Sequence, residues 1–162
     1  MNWLITFIFT LIAPGMVWIL FPYLILHGTG KCATVHFGVL QALGGLLALA
    51  GLIIYAWTAS DFVRVGRGTP APIFPTGRLV VRGLYRHVRN PMYLGVLSGL
   101  LGEVCFYQSF WLLLYAAVVC AAFTVFIKYY EEPTLQKSFG QAYTDYRARV
   151  RRWIPRWRPY RG

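Results

Sequence analysis

Gly77-Arg78-Leu79-Val80-Val81-Arg82-Gly83-Leu84-Tyr85-Arg86-His87-Val88-Arg89-Asn90-Pro91-Met92-Tyr93-Leu94-Gly95 is a basic, Gly- and Pro-punctuated link that runs straight into an apolar segment. Two long uncharged segments precede it, and an apolar pair and a basic tail follow it. Its glycine and proline breaks favour irregular backbone, whose free N–H and C=O groups can meet a ligand directly. Lipid forbids such backbone unless protein covers it. The link therefore reads as the floor of a site at a membrane surface.

Upstream, residues 2–26 and 36–60 are two runs of 25 residues without a charged side chain. As a helix each reaches roughly 37 Å, enough to cross a hydrocarbon layer of about 30 Å. Pro14 and Pro22 predict kinks in the first. A cleaved leader would carry a basic residue ahead of its apolar core, and no Lys or Arg precedes Lys31. In the second run, Gly44-Gly45 and Gly51 suit close approach of another helix. Residues 27–35 read as a short turn, and Pro70, Pro72 and Pro75 make the start of the link extended.

Downstream, residues 92–108 and 110–128 form a third and fourth apolar segment joined by a tight turn at Gln108-Ser109. Glu103, near the far end of the third, is expected to reach interfacial water. After Lys128, the residues Leu135, Phe139, Tyr143, Tyr146, Val150 and Trp153 recur at helical spacing, an amphipathic stripe that Pro155 should end.

The fold expected is an all-α integral membrane protein: four transmembrane helices, a cytosolic basic link and a C-terminal amphipathic helix, within one domain spanning residues 1–162. Composition agrees. The chain is 57% hydrophobic and 13% charged, with a mean hydropathy of +0.52. With four crossings, 15 of the 16 Lys and Arg fall on one side and Lys31 alone on the other. The positive-inside rule then puts both termini in the cytosol. The formal net charge of +11 is thus read as a membrane-surface feature, with no nucleic acid as partner. Cys32, Cys105 and Cys120 are odd in number and widely spaced, and His27, His36 and His87 stand apart, so no disulfide framework and no metal site are expected.

Two acids, Glu131 and Glu132, directly follow the fourth segment in an otherwise basic zone. They can bridge nearby arginines, or bind a cationic ligand group at a low-dielectric boundary. Tyr85, Tyr93, Tyr143 and Tyr146 share their face and can stack on a flat ring or donate a hydroxyl.

The run Arg89-Asn90-Pro91-Met92-Tyr93-Leu94-Gly95 resembles the Arg-His-Pro-x-Tyr-x-Gly motif of the isoprenylcysteine carboxyl methyltransferase and phospholipid methyltransferase superfamily. The tail, from Glu131-Glu132 through Leu135, Phe139-Gly140, Tyr143, Tyr146, Val150 and Arg152 to Pro155, is similar to that superfamily's second signature. Together the two cover about residues 75–155 and flank a helical hairpin. The resemblance implies S-adenosylmethionine as cofactor and S-adenosylhomocysteine as product, held between link and tail. It implies that Gly77, Arg78, Leu79 and Val80 line the cofactor with backbone and that Tyr85 contacts it. Asn90, Pro91, Met92 and Tyr93 would form the loop around it, and Glu131 with Glu132 would take its ammonium. Arg152 would sit near the mouth and orient an anionic group of cofactor or substrate, and Arg152 and Tyr93 are the residues expected to be catalytic. Asn90 stands where many members have His and cannot titrate near neutrality, so its part is positioning.

The activity implied is methyl transfer to a lipid-like or small apolar acceptor (carboxylate, thiol or amine) entering from the membrane, whose lipids are the expected partners. Two other readings stand beside it: a non-catalytic lipid-binding adaptor on the same scaffold, and a nicotinamide-dependent membrane reductase. The reductases that share such a core have many more spans than 162 residues allow.

Overall fold

The computed structural model describes residues 2–30, 37–64 and 79–161. Lys31, Cys32, His36, Arg67, the link prolines, Gly77 and Arg78 lie outside the described residues. Six α-helices follow in order: α1 (Asn2–Gly15), α2 (Phe21–Gly28), α3 (Val39–Arg64), α4 (Pro91–Tyr107), α5 (Phe110–Phe126) and α6 (Glu132–Arg149). Three continuous helical runs, Leu4–Gly28, Val39–Arg64 and Phe110–Arg149, are long and apolar enough to cross a membrane, and Pro91–Tyr107 is a shorter apolar helix. The chain is an all-α, multi-pass membrane protein.

A π-helical turn, Met16–Leu20, joins α1 to α2. Pro22 explains it: this residue has no N–H for the carbonyl five residues back at Val17. That freed carbonyl accepts the Tyr115 hydroxyl at 3.1 Å. The same turn aims Trp18 at α4, where its indole N–H donates to the Val96 carbonyl at 2.8 Å. The kink expected from the prolines is therefore a means of docking the first run onto α4 and α5.

Helices α3 and α4 pack most intimately. A Cβ on Gly51 would stand 2.5 Å from the Gly95 carbonyl oxygen, and one on Gly44 2.6 Å from that of Gly102. Backbones can approach this closely only where side chains are missing. Gly45, paired with Gly44 in the sequence reading, has nothing near it and faces away. Polar caps fasten the same seam: Ser98 Oγ donates to the Leu47 carbonyl at 3.0 Å and Gln41 Nε2 to that of Phe106 at 3.2 Å. Gln108 adopts a left-handed conformation (φ 47°) between α4 and α5, and Ser109 caps α5 with its hydroxyl.

Three expectations need correction. Helix α3 runs on through Asp61 to Arg64, past residue 60 where the uncharged run ends. The tail is not a separate helix after Lys128: α5 and α6 form one run through a second π turn, Ile127–Glu131, again two residues before a proline, Pro133. Nor does Pro155 end α6, which bends at Gly140 (φ 53°) and stops at Arg149 because Val150 turns extended. Tyr143, Tyr146 and Val150 of the apolar stripe are buried together against Leu79, Val81, Leu135, Phe139 and Tyr160, so this face packs on the link.

Glu103 differs as well. Its Oε2 is shielded from solvent and finds no hydrogen-bond partner among the described residues. Cys105 and Cys120 are half-buried free thiols.

Candidate functional site

Link and tail are laced together at one end of the helices. The Arg89 N–H donates to the Arg151 carbonyl, the Arg156 N–H to that of His87 and the Tyr160 N–H to that of Arg86, each at 2.9 Å. The order is antiparallel, so residues 86–89 and 151–160 form a two-strand lacing without a regular ladder. Side chains reinforce it. Arg86 Nε donates to the Tyr160 carbonyl at 2.7 Å, and Asn90 Nδ2 to that of Arg152 at 3.3 Å. Asn90 is buried and ties the start of α4 to the tail, a bond a His ring at this position would make with different reach.

Gly83 opens a 3-10 turn, Gly83–Arg86, with φ +54°. A Cβ there would stand 2.7 Å from Asp61 Oδ2, so glycine is demanded by both the left-handed backbone and the carboxylate above it. The turn buries Tyr85 edge-on against Phe62 at 5.5 Å. Its carbonyl accepts the Tyr146 hydroxyl at 2.6 Å. Burial foremost, and then the neighbouring Glu131, Tyr146, Tyr93 and Asp61, push the Tyr85 phenol well above its ordinary pKa. It stays a neutral hydrogen-bonding group at any physiological pH.

The two adjacent acids have different surroundings. Glu131 Oε2 accepts the Tyr93 hydroxyl at 2.8 Å, and the Tyr93 ring packs edge-on against Phe123. No ion pair to Glu131 exists among the described residues. Glu132 is the opposite: its side chain is 6% exposed and engages three arginines. Arg152 grips both its oxygens, Nε to Oε1 at 2.8 Å and Nη2 to Oε2 at 3.0 Å. Arg89 Nη2 approaches Oε1 at 3.2 Å. Arg147, half-exposed and 3.9 Å away, adds little. The π turn that precedes α6 shifts the helical register just before these neighbours diverge, one toward α4 and the other toward the tail.

Two groups that sequence reasoning did not name as site residues stand here. Arg89 is only 10% exposed, yet its Nε and Nη1 are buried with no hydrogen-bond partner among the described residues. Asp61 Oδ2 is likewise buried and unpartnered among them. The signal for Asp61 is its standing as the one acid of residues 61–90, among six arginines; for Arg89 it is the motif itself, read for its Asn and Pro.

Of the expected site residues, Tyr93 pairs with Glu131, Asn90 and Glu132 both bind Arg152, and Tyr85 meets Tyr146, whose cluster Leu79 packs against. Pro91 and Val80 are buried nearby. Met92 turns the other way, into the packing of Tyr55, Ala59 and Val96 between the helices. Among the described residues no cluster of His, Cys, Asp or Glu could hold a metal.

The donor set suits the charged end of an amino-acid cofactor: a carboxylate held by a tyrosine and without an ion-pair partner among the described residues, in a seam that also holds a guanidinium whose buried Nε and Nη1 find no hydrogen-bond partner among them. No curated protein and no solved structure gives a significant match to this chain. A family model does, described as phospholipid methyltransferase and matching residues 39–142, a stretch that holds α3, the link, the hairpin and both acids. The chain belongs to the phospholipid methyltransferase family and, at the level of that family, is an S-adenosylmethionine-dependent methyltransferase.

Proposed function

We propose that this protein transfers a methyl group from S-adenosylmethionine to a lipid-like or small apolar acceptor at the cytosolic face of its membrane. The observation that carries this reading is the meeting of link and tail near Glu131, whose carboxylate is held by Tyr93 and has no ion-pair partner among the described residues. Four crossings, with α4 as the third, put link, tail and both termini on the basic, cytosolic side.

When bound, S-adenosylmethionine supplies an electrophilic methyl on a sulfonium, leaving S-adenosylhomocysteine once the methyl has moved. The chain's own residues mainly align and exclude water. Glu131 takes the cofactor's ammonium, with Tyr93 fixing the carboxylate's rotamer. Arg89, whose Nε and Nη1 find no hydrogen-bond partner among the described residues, is proposed to donate to the cofactor's carboxylate. Backbone of Gly77, Arg78, Leu79 and Val80 lines the cofactor, the neutral Tyr85 phenol contacts it, and Asn90 and Pro91 shape the loop, with Met92 serving only by anchoring the start of α4 in the helix packing. Glu132 is proposed to act at one remove, through Arg152 and Arg89. Arg152 is proposed to keep the mouth cationic while anchored on Glu132. A carboxylate acceptor needs no base; a thiol or amine would pass its proton to solvent or to a nearby tyrosine.

Isothermal titration of the detergent-purified protein with S-adenosylhomocysteine tests the site, and mass spectrometry of membrane lipid extracts incubated with methyl-labelled cofactor identifies the acceptor. Micromolar-range binding and a labelled product are expected. Binding without any labelled product would favour a lipid-binding adaptor, and no binding would refute the proposal.

A further inference from the structure

Beyond that site, the other side of the lacing carries a cavity of about 480 Å³ lined by Arg149, Arg151, Ile154, Pro155, Arg156 and Trp157. We propose that it is a binding site for the headgroups of anionic phospholipids. This inference rests on the membrane-crossing reading of α4 but not on the chemistry proposed at Glu131.

Charge comes first. Residues 149–161 hold Arg149, Arg151, Arg152, Arg156, Arg158 and Arg161 and no acid. Of these six only Arg152 takes part in an ion pair found among the described residues, with Glu132. The arginines around the cavity are therefore uncompensated, and two of them are held in place. Arg156 Nη1 donates to the Arg149 carbonyl at 2.8 Å, and the Arg149 guanidinium lies over the Tyr160 ring, 5.9 Å from its centre. A phosphate diester is the natural match for such preset guanidinium donors.

Apolar exposure comes second. Trp157 is 99% exposed and Ile154 61%, an unusual pair to leave in water between arginines. An indole among cations is suited to the headgroup layer. Position settles the source of the phosphate. His87 and Arg156 are joined by two hydrogen bonds, N–H to carbonyl at 2.9 Å and ring Nδ1 to the Arg156 carbonyl at 2.8 Å. His87 is four residues before Pro91, where α4 begins. Four residues span at most about 14 Å, and the headgroup layer on each side is roughly 5–8 Å thick. The cavity thus lies within side-chain reach of the leaflet into which α4 enters. A nucleic acid would find the same charge but no reason for its place beside a membrane entry point.

The test uses the full chain in phosphatidylcholine nanodiscs containing a minor fraction of phosphatidylglycerol or of extra phosphatidylcholine, brominated near the ester carbons. The readout is tryptophan quenching attributable to position 157, taken as wild type minus Trp157→Phe. We expect brominated phosphatidylglycerol to quench this component at least about twofold more than brominated phosphatidylcholine, since uncompensated arginines enrich anionic lipid locally. The excess should disappear in R149Q/R151Q/R156Q and shrink in Arg151→Gln, whose exposed side chain supports no packing. Equal quenching by the two lipids, quenching by neither, or an excess that survives the triple substitution would overturn the proposal. Saturable binding of a short single-stranded RNA by the detergent-solubilised protein, lost in the triple variant, would assign the surface to nucleic acid and overturn it as well.

Discussion

Replacing Glu132 by Gln should unfold this protein far more readily than replacing Glu131 by Gln, although the two residues are neighbours of the same type. The Glu132 carboxylate pairs with two guanidinium groups, those of Arg152 and Arg89, whose side chains are 25% and 10% exposed. Removing one partner of a buried ion pair costs about 3–5 kcal/mol, because the remaining charge is left in a poor solvent. Arg89 is the more heavily penalised, since two of its donors already lack partners. Removing that second charge should restore part of the loss, so Arg89→Met combined with Glu132→Gln should cost less than the two single changes added. A coupling of about 1–3 kcal/mol is expected for residues in one network. Glu131→Gln keeps an acceptor for the Tyr93 hydroxyl and should leave stability within about 1 kcal/mol. It should instead weaken S-adenosylhomocysteine by roughly 10–100-fold, the worth of a hydrogen bond to a charged group at about 1.5–3 kcal/mol. Equilibrium unfolding in mixed micelles with increasing dodecyl sulfate reads the first effect, and titration calorimetry the second. Equal stability of the two single variants, or a coupling below about 0.5 kcal/mol, would refute the division of labour between these acids.

Further outcomes follow from the same geometry. Arg89→Gln should weaken S-adenosylhomocysteine about tenfold or more while leaving its decarboxylated analogue nearly unchanged; equal losses would show that Arg89 only holds the fold. Gly51→Ala should cost about 1–3 kcal/mol in the same micelle assay, because its Cβ meets backbone at 2.5 Å and not a side chain that can swing away; Gly45→Ala, in open space, should cost a few tenths at most. Tyr146→Phe should cost about 1–3 kcal/mol by leaving the buried Tyr85 carbonyl without its donor; a neutral result would mean water replaces it.

Much of this was legible because hydrophobic runs and charge placement are set by the bilayer, a solvent with only two demands. Uncharged length located the helices, and the skew of arginines placed link and tail on one face before any contact was known. The misses have a common cause: they depend on backbone register. Pro22 and Pro133 each announce a missing N–H, but composition does not say whether the helix kinks, stops or widens to a π turn. The widening after Phe126 makes α5 and α6 one run and sets Glu131 and Glu132 on different errands. Gly44 and Gly45 look equivalent in sequence, yet adjacent residues on a helix point about 100° apart, so only one can meet α4. Arg89 was hidden because a buried guanidinium reads, from sequence, like any other arginine of a basic link.

Residues 79–95 and 127–152 are proposed to form two walls of one cofactor site. Hydrogen–deuterium exchange on the detergent-purified protein, with and without S-adenosylhomocysteine, tests it most directly. Slowed exchange in both segments at the same ligand concentration, with α1 unchanged, is the expected result. Protection confined to one segment, or appearing only elsewhere in the chain, would contradict it.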